Sequence, residues 1–388
     1  MKFNFLLALF SYHTKILTEK YLYSKELESI KKSNRFRTRE LFDDNLVDLA
    51  SNDYLGLSTN KTLFQNAYEN ILKEKYHSPK ASMLVNGYSK IHKKFEDRLC
   101  EVNGFEAGVI VGSGFLANIS MIEALCRKND TLFIDEEYHA SGILATKLLR
   151  PEQVIIFNHN DFKDLEKKIS SNQRTGRNII AIEGVYSMGG DLAPLEIFKI
   201  ADEKKAILIV DEAHSFGVIG DNLLGIFDYY KIKPNKYHVK MGTLGKAYGS
   251  YGAYILASKQ IIDFLTNRAK PIIYSTAPSL FDTALANESL NFIIENKIIL
   301  KEKIRKNLTI IKNILGLNSQ SLIIPLLIGD NRKVKIIQEN LKKNGFLVGA
   351  IRQPTVKVAI IRLIAKIDIN EDDLTKVCNL LKDSNVNK

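Results

Sequence analysis

The sequence predicts an α/β protein with a central, mostly parallel, seven-stranded sheet flanked by helices, and a small C-terminal α+β domain. In the middle of the chain, short apolar runs alternate with longer helical stretches, which is typical of strands buried on both faces of a parallel sheet. Beyond residue 284 the pattern changes to a long lysine-rich helical stretch followed by strand-like runs. The length of 388 residues suits two domains.

The first 45 residues are predicted to form a helical arm. The apolar start MKFNFLLALF is similar to the core of a signal peptide. No small-residue cleavage site follows it, and charged residues resume at Lys15, so we favour an amphipathic helix. A charged helical stretch continues to about Lys32, and a basic hinge at 34–37 follows it.

Residues 46–283 are predicted to form the large domain. Its first segment, LVDLASNDYLGLS at 46–58, is typical of a short strand that leads into a turn. Helical stretches such as 116–127 and 195–204 separate most of the apolar runs that follow. The seven runs interpreted as strands are 108–111, 131–134, 154–157, 179–182, 207–210, 238–241 and 252–256.

Residues 284–388 are predicted to form the small domain. A helix over about 284–317 comes first, followed by the strand-like segment SLIIPLLIG and a second helix. The strand-like segment VKVAIIRLIA and a final helix complete the chain.

Composition excludes several classes of protein. The 55 basic and 44 acidic residues give a charge of +11, which favours anionic ligands, but we find no nucleic-acid recognition motif. Three cysteines are too few for a disulfide framework or a zinc site, which favours a reduced, cytoplasmic setting without a metal. No apolar run reaches the roughly 18–20 residues that a membrane helix needs.

Polar residues directly after the predicted strands carry the candidate chemistry, because ligands of open α/β sheets bind beyond the carboxyl ends of the strands. Asp211 and His214 follow the run at 207–210. Both side chains can point into one crevice and could serve a cofactor, a metal ion or a hydrolase reaction. A structural aspartate that caps the next helix explains the same pattern, so this pair alone leaves the chemistry open.

Lys246 lies in a glycine-flanked turn, GTLGKAYG, after the run at 238–241. A nucleotide-binding P-loop is excluded, because Ala247 follows the lysine and the glycine spacing differs from that motif. A Schiff-base lysine, which needs a tight and largely desolvated setting, fits the turn better, and Thr243 could donate to a phosphate. A surface lysine remains the alternative for this segment by itself.

Two further segments join Lys246 and Asp211 to give the four groups that one cofactor needs. Ser113-Gly114-Phe115 opens a helix after the run at 108–111, and free N–H groups at a helix start bind phosphate. His139 offers a flat ring. Pyridoxal 5'-phosphate needs an amine for its aldehyde, a helix start for its phosphate, a carboxylate for its ring nitrogen and a flat partner for its ring.

Residues 48–280 resemble the α-oxoamine synthases, fold-type-I pyridoxal-phosphate enzymes that condense an amino acid with an acyl-CoA. The matching segments are SNDYLGLS, GYSKIHKKFEDRL, GSGFLANIS, DEEYHASG, IEGVYSMGGDLAPL, VDEAHSFGVIG and GTLGKAYGSYGA. IIYSTAPS, LIGDN and IRQPTV extend the match and are most similar to the branch that joins alanine to a pimeloyl thioester in biotin synthesis. The resemblance implies an acyltransferase whose substrates are an amino acid and an acyl-CoA or acyl-carrier-protein thioester.

The resemblance also implies roles for individual residues. Lys246 would hold the cofactor aldehyde and move protons at the substrate Cα, Asp211 would pair with the ring nitrogen, and His139 would stack on the ring and help acyl transfer. The cofactor-binding residues implied are Ser113, Gly114, Phe115, His139, Glu183, Ser187, Asp211, His214, Thr243, Lys246 and Thr276. The substrate-binding residues implied are Arg37, Asn52, His139, Arg352 and Thr355. Thr276 would reach the phosphate in the neighbouring subunit, which implies a homodimer with shared active sites.

The sequence departs from the family pattern in two segments. In VKVAIIRLIA the usual glycine before Arg362 is absent and Ile364 replaces a common second arginine. Lys80, Ala81 and Met83 stand where the family has glycines, and they could reshape the acyl entrance. The substrate pair therefore stays open among family members that use glycine with acetyl- or succinyl-CoA, use serine with a long acyl chain, or make signal molecules. Two further alternatives are another fold-type-I reaction and a catalytically inactive scaffold subunit, the latter disfavoured by the presence of Lys246, His139 and Asp211.

Overall fold

The structure is a computed structural model that describes residues 22–384. The apolar N-terminus, for which the sequence predicts an amphipathic helix, lies outside the described residues. In chain order the strands are β1 (Val47–Leu49), β2 (Ala107–Val111), β3 (Thr131–Asp135), β4 (Val154–Phe157), β5 (Asn178–Glu183), β6 (Ile207–Asp211), β7 (His238–Thr243), β8 (Ala253–Ala257), β9 (Ile323–Gly329), β10 (Phe346–Ile351) and β11 (Ala359–Ile364). The α-helices are α1 (Ser24–Lys32), α2 (Lys61–Leu72), α3 (Lys90–Asn103), α4 (Gly114–Leu125), α5 (Ala140–Thr146), α6 (Phe162–Ser171), α7 (Leu195–Glu203), α8 (Ile226–Tyr229), α9 (Lys259–Arg268), α10 (Lys270–Ile273), α11 (Leu280–Leu315), α12 (Asn331–Lys343) and α13 (Glu371–Asp383).

Strands β2 to β8 form the central sheet in the order β2-β8-β7-β6-β5-β3-β4. All of them run parallel except β8, which is antiparallel to both of its neighbours. Each predicted run coincides with an observed strand to within one or two residues. The prediction of a mostly parallel seven-stranded sheet is confirmed.

The parallel strands are apolar along their length because both faces of the sheet are covered. In β6, for example, every residue is buried. Leu208 and Val210 pack into one apolar core and Ile207 and Ile209 into a second core on the opposite face, as the alternation of side chains along a strand requires. Among the helices of residues 22–384, none combines the length and apolar character needed to span a bilayer.

A second sheet, of four strands, has the order β1-β10-β11-β9. The sequence assigns β1 to the large domain, but this strand pairs in parallel with β10, with Leu49 opposite Val348. A three-residue strand carries no signal of its partner, which lies almost 300 residues later (348 − 49 = 299). Pro325 lies within β9, where it is tolerated because β9 is an edge strand.

Helix α11 connects the regions of the two sheets. Near its start Glu288 accepts a hydrogen bond from Asn70 of α2, and further along Asn307 donates to the carbonyl of Lys366, which follows β11. The helix begins at Leu280, so the domain boundary predicted at 284 lies inside a continuous helix. The predicted helical arm is helical at α1, and residues 35–43 form neither helix nor strand.

We expect Leu49→Ala to lower the free energy of unfolding by about 2–5 kcal/mol, because the Leu49 side chain of β1 is fully buried in the apolar core. Urea denaturation followed by circular dichroism measures the change. Leu41→Ala, in the same N-terminal region but fully exposed, is the control. Equal stability of the two variants would contradict the placement of β1 in the core.

Candidate active site

The predicted site residues converge on one edge of the central sheet, where its parallel strands end. Glu183, Asp211 and Thr243 are the last residues of β5, β6 and β7. Ser113 and His139 follow β2 and β3 within a few residues. This edge is where open α/β sheets bind ligands, so the topology itself brings together residues that are far apart in the chain.

Lys246 lies in the turn between β7 and β8, next to a buried histidine. Its Nζ is 2.6 Å from His214 Nε2, and His214 Nδ1 is 2.5 Å from the Tyr54 hydroxyl. Gly249 after the lysine has a φ of +62°, and a Cβ there would lie 2.6 Å from Ser58 N. The glycine therefore lets this turn pack closely on the segment that carries Tyr54.

The surroundings of Lys246 change the pKa of several groups. Burial lowers the pKa of Lys246 to about 8, and the charge of Arg362 adds to this effect, while Asp211 and Glu183 oppose it. Burial, together with the cations Lys246 and Arg362, holds the pKa of His214 well below its usual value. His214 is therefore a neutral imidazole at physiological pH, and it can exchange a hydrogen bond with the amine without repelling it.

Asp211 and His139 are joined by a buried hydrogen-bond network. Asn118 Nδ2 donates to Asp211 Oδ2 at 2.9 Å and to Ser141 Oγ at 2.9 Å, and this hydroxyl is 2.7 Å from His139 Nδ1. The hydroxyl of Tyr138 donates to Asn118 Oδ1 at 2.6 Å. Burial lowers the pKa of His139, which favours its neutral form. Asn118 thus connects the predicted partner of the ring nitrogen with the predicted stacking residue.

The start of α4 has the properties of a phosphate cradle. Ser113 Oγ accepts the N–H of Leu116, while the N–H groups of Gly114 and Phe115 lie in the first turn, where no intrahelical carbonyl can pair with them. A Cβ on Gly114 would lie only 3.8 Å from Thr243 Cβ. The predicted phosphate ligands are therefore adjacent, although the Thr243 hydroxyl here donates to the Gly252 carbonyl.

Arg362 is a site residue to which the sequence analysis assigned no role. This buried arginine of β11 donates through Nη1 to Asn52 Oδ1 at 3.0 Å and through Nε to the carbonyl of Ser187 at 2.8 Å. Its Nη2 is buried without a partner among residues 22–384. An arginine within the apolar run AIIRLI is the signal that could have identified it.

Glu183 is bonded into the same part of the site. Its Oε2 accepts the N–H of Ser187 at 3.0 Å, and its Oε1 has no partner within the described part of the chain. Burial, strengthened by the negative charge of Asp211, raises the pKa of Glu183 well above its usual value. The Glu183 side chain therefore anchors the backbone of Ser187.

The predicted substrate residues Arg37, Arg352 and Thr355 form a second cluster. Arg37 Nη2 donates to Thr355 Oγ1 at 2.9 Å, and Arg352 Nη1 donates to the Asn34 carbonyl at 2.8 Å. They line a cavity of about 110 Å³ together with Arg35. None of the residues between 22 and 384 that line this cavity is acidic, so its three guanidinium groups are suited to a small anion.

Thr276 and the departures at 80–83 lie together. Thr276 forms a β-bridge with Ser82, and Ala277 N donates to the carbonyl of Ala81 at 3.0 Å. Lys80 takes a left-handed backbone conformation, with its amine 3.9 Å from the centre of the Tyr76 ring. Thr276 is exposed, and its side chain is not hydrogen-bonded to the other predicted site residues described here.

The residues present fit pyridoxal phosphate. They offer an amine of lowered pKa, a carboxylate at a strand end, a phosphate cradle at a helix start and an imidazole beside them. In addition, Glu183 Oε1 and Arg362 Nη2 are buried without a hydrogen-bond partner among the described residues, so both atoms can bond to a ligand.

Comparisons with known proteins agree with this chemistry. The family model for aminotransferases of class I and II matches residues 44–381. The 8-amino-7-oxononanoate synthase of Helicobacter pylori is 47% identical over 93% of this chain and 97% of that protein. The enzyme of the same name from Geobacter sulfurreducens is 34% identical over 84% and 85%.

Solved structures are similar as well. The 8-amino-7-oxononanoate synthase of Francisella tularensis has a TM-score of 0.73 and 25% identity, covering 88% of this chain and 98% of that one. The serine palmitoyltransferase of S. paucimobilis has a TM-score of 0.84 and 20% identity, covering 93% and 96%. The second likeness shows the fold alone.

We expect Lys246 to react with small amine reagents at unusually low pH, because an amine reacts when unprotonated and its pKa is about 8. Reductive methylation with formaldehyde, after hydroxylamine has removed any bound aldehyde, can be quantified by peptide mass spectrometry at each pH. The extent of methylation at Lys246 should be half-maximal near pH 8. Lys93, whose pKa is raised by Asp97, is the internal control. Identical profiles for the two lysines would contradict the assignment.

Proposed function

Because the chain belongs to the class I and II aminotransferase family and, within it, to the 8-amino-7-oxononanoate synthases among the α-oxoamine synthases, we propose that it condenses L-alanine with a pimeloyl thioester. The products are 8-amino-7-oxononanoate, carbon dioxide and the free thiol, in the synthesis of biotin. The acyl carrier is CoA or a carrier protein. The 47% identity to the 8-amino-7-oxononanoate synthase of Helicobacter pylori supports this pair of substrates. One observation of the structure agrees with it: the chain has two separate cationic groups, which suit a pair of reactants that each bear a carboxylate.

The cofactor of this reaction is pyridoxal 5'-phosphate. When bound, it supplies an aldehyde that links to an amine and a ring that takes up the electrons left on Cα when a group departs. Gly114, Phe115 and Thr243 would hold its phosphate, with Ser113 capping the helix. Asp211 would pair with the ring nitrogen, and His139 would supply the flat partner for the ring. Ser187 and His214 would hydrogen-bond the ring hydroxyl, and Glu183 anchors the backbone of Ser187.

Lys246 both holds the cofactor and transfers the proton at the substrate Cα. An amine with a pKa of about 8 can accept a proton near neutral pH and return it later in the cycle. Neutral His214 contacts the amine through Nε2 and is oriented by Tyr54 through Nδ1. His139, also favoured in its neutral form, is available to assist at the thioester carbonyl.

The first cationic group, Arg362, binds the α-carboxylate of alanine. Asn52 Oδ1, which accepts Arg362 Nη1, also lies 3.3 Å from the Tyr54 hydroxyl that contacts His214. The charge of Arg362 lowers the pKa of both Lys246 and His214. Asn52 and the Ser187 carbonyl fix two of its nitrogens and leave Nη2 for a ligand. The amino acid is thereby oriented between Arg362 and the cofactor.

The second cationic group, formed by Arg35, Arg37 and Arg352, binds the terminal carboxylate of the pimeloyl chain. The cavity that they line is of a size for a small anion, and Thr355 offers a hydroxyl there. A chain with an uncharged end leaves these guanidinium groups without a counter-ion, which disfavours long fatty acyl chains and acetyl groups. Among α-oxoamine substrates a dicarboxylic thioester is therefore preferred.

The working form is a homodimer. Four side chains near the cofactor site are exposed in the single chain. One is Phe115, on the phosphate cradle itself, and the others, on segments next to the site, are Tyr251, Tyr274 and Thr276. A second copy covers this partly aromatic face, and its Thr276 completes the phosphate site.

We expect thiol release from pimeloyl-CoA with alanine, and at most slow release from acetyl-CoA with glycine, in an assay with a thiol-reactive dye. Lys246→Ala should abolish the release, since no other amine can replace it. Production of a keto acid from alanine without a thioester would instead indicate transamination. A purified protein that lacks any cofactor absorbance would indicate a scaffold subunit.

We expect Arg37→Gln to raise the KM for pimeloyl-CoA about 10- to 100-fold, because one charged hydrogen bond to the terminal carboxylate is lost. The KM for alanine should stay unchanged. Heptanoyl-CoA, which has the same chain length without that carboxylate, should be used equally well by variant and wild type. Arg39→Gln, on the same segment but outside the cavity lining, is the control. Equal losses for both thioesters would refute a carboxylate site.

A further inference from the structure

A buried ion pair lies on the face of the central sheet opposite to that of Asp211. Lys240 in β7 and Glu212 just after β6 are almost completely buried, with Nζ 3.6 Å from Oε1. Lys240 also donates to Asn103 Oδ1 at 2.8 Å and to the Leu224 carbonyl. Nothing in the proposed chemistry uses either charge.

Alternation along the strands explains this position. Met241 packs into the core that also holds α4 residues, so its neighbour Lys240 points to the opposite face, where Leu224 and Phe227 lie. In the same way, the Asp211 side chain lies on the same face of the sheet as Ile209, and the Glu212 side chain points to the opposite face. The ion pair therefore lies behind the turn that presents Asp211 and His214.

Glu212 is the centre of a dense set of hydrogen bonds. Its carboxylate accepts the N–H of Ile226 at 2.8 Å and the hydroxyl of Ser215, which directly follows His214. Gly225 has a φ of +94°, and a Cβ there would overlap the carboxylate; a Cβ on Gly184 would lie 2.8 Å from Glu212 Oε2. The backbone is thus shaped to fit this side chain.

Removing one partner of a buried ion pair leaves an uncompensated charge, so both partners are needed. We propose that Glu212 and Lys240 are positioning residues, whose ion pair holds the turn from Asp211 to Ser215 so that Asp211 and His214 meet the cofactor ring in a fixed geometry. The inference rests on the proposed function for the identity of the cofactor, but it does not depend on which acyl thioester is used.

Lys240→Met in the holoenzyme tests the proposal. We expect kcat to fall about 10- to 100-fold with a KM for alanine within about twofold of wild type, because small displacements of catalytic groups have effects of this size. The pH midpoint of the bound cofactor's absorbance change should also shift, since the groups that contact the ring and Lys246 move. Absorbance titration needs no acyl substrate, so it separates this inference from a failure of the proposed substrate pair.

His238→Gln is the matched control. His238 is also a buried residue of β7, paired with Asp202 at 3.1 Å, but it is the first residue of that strand, at the end away from Lys246 and outside the described network around Asp211. Both variants should lower the melting temperature, and only Lys240→Met should change kcat and the absorbance midpoint. A Lys240→Met enzyme with lowered melting temperature but wild-type kcat and midpoint would overturn the proposal.

If Lys240→Met does not fold, Glu212→Gln provides the second variant. It retains the shape of the side chain and removes the charge that Lys240 balances. A shifted absorbance midpoint in this variant supports the positioning role, and an unchanged midpoint in a folded Glu212→Gln holoenzyme refutes it.

Discussion

Burial of the Lys246 amine is the constraint on which the rest of the site depends. Loss of water lowers its pKa to about 8, so that about a tenth of the amine is unprotonated at pH 7. Full desolvation without counter-charges would lower the pKa further and weaken the amine as a base. Asp211 and Glu183 limit that shift, and Arg362 acts in the opposite direction. The reactivity of the lysine is thus a balance among groups from three different strands.

That balance requires both sheets. Asp211 and Glu183 come from the central sheet, but Arg362 comes from β11 of the four-stranded sheet, which also recruits β1 from the N-terminal region. Asn52, three residues after β1, is the side chain that holds Arg362 Nη1. The pairing of β1 with β10 therefore positions Arg362, the arginine that we propose binds the amino-acid carboxylate, and it does so through the segment that also carries Tyr54. A site built this way forms only when the two sheets have assembled.

The sequence predicts those parts of this arrangement whose signals lie close together in the chain. The central strands are predictable because their apolar runs are continuous and bounded by polar ends, and Asp211 and Lys246 are found because they follow such runs directly. Tyr54 and Asn118 could not be found in this way, because their hydrogen-bond partners His214 and Asp211 are 160 and 93 residues away in the chain. Arg362 is hidden within an apolar run, and β1 is too short to indicate its sheet. The roles of individual residues rest on resemblance and stay predictions.

The arginines divide into those whose charge is balanced by a carboxylate of the protein and those that can bind an anionic ligand. Arg177 is paired with Asp130 at 2.7 Å and Arg98 with Glu101 at 2.7 Å, so their charges are balanced within the protein. In the part of the chain that the structure describes, the cavity of Arg35, Arg37 and Arg352 has no acidic lining residue, and Arg362 Nη2 has no hydrogen-bond partner. Neighbouring like charges without a counter-ion destabilise a folded chain. Such groups are retained where a bound anion offsets the repulsion, and two of them in one molecule fit a reaction that joins two carboxylate-bearing substrates.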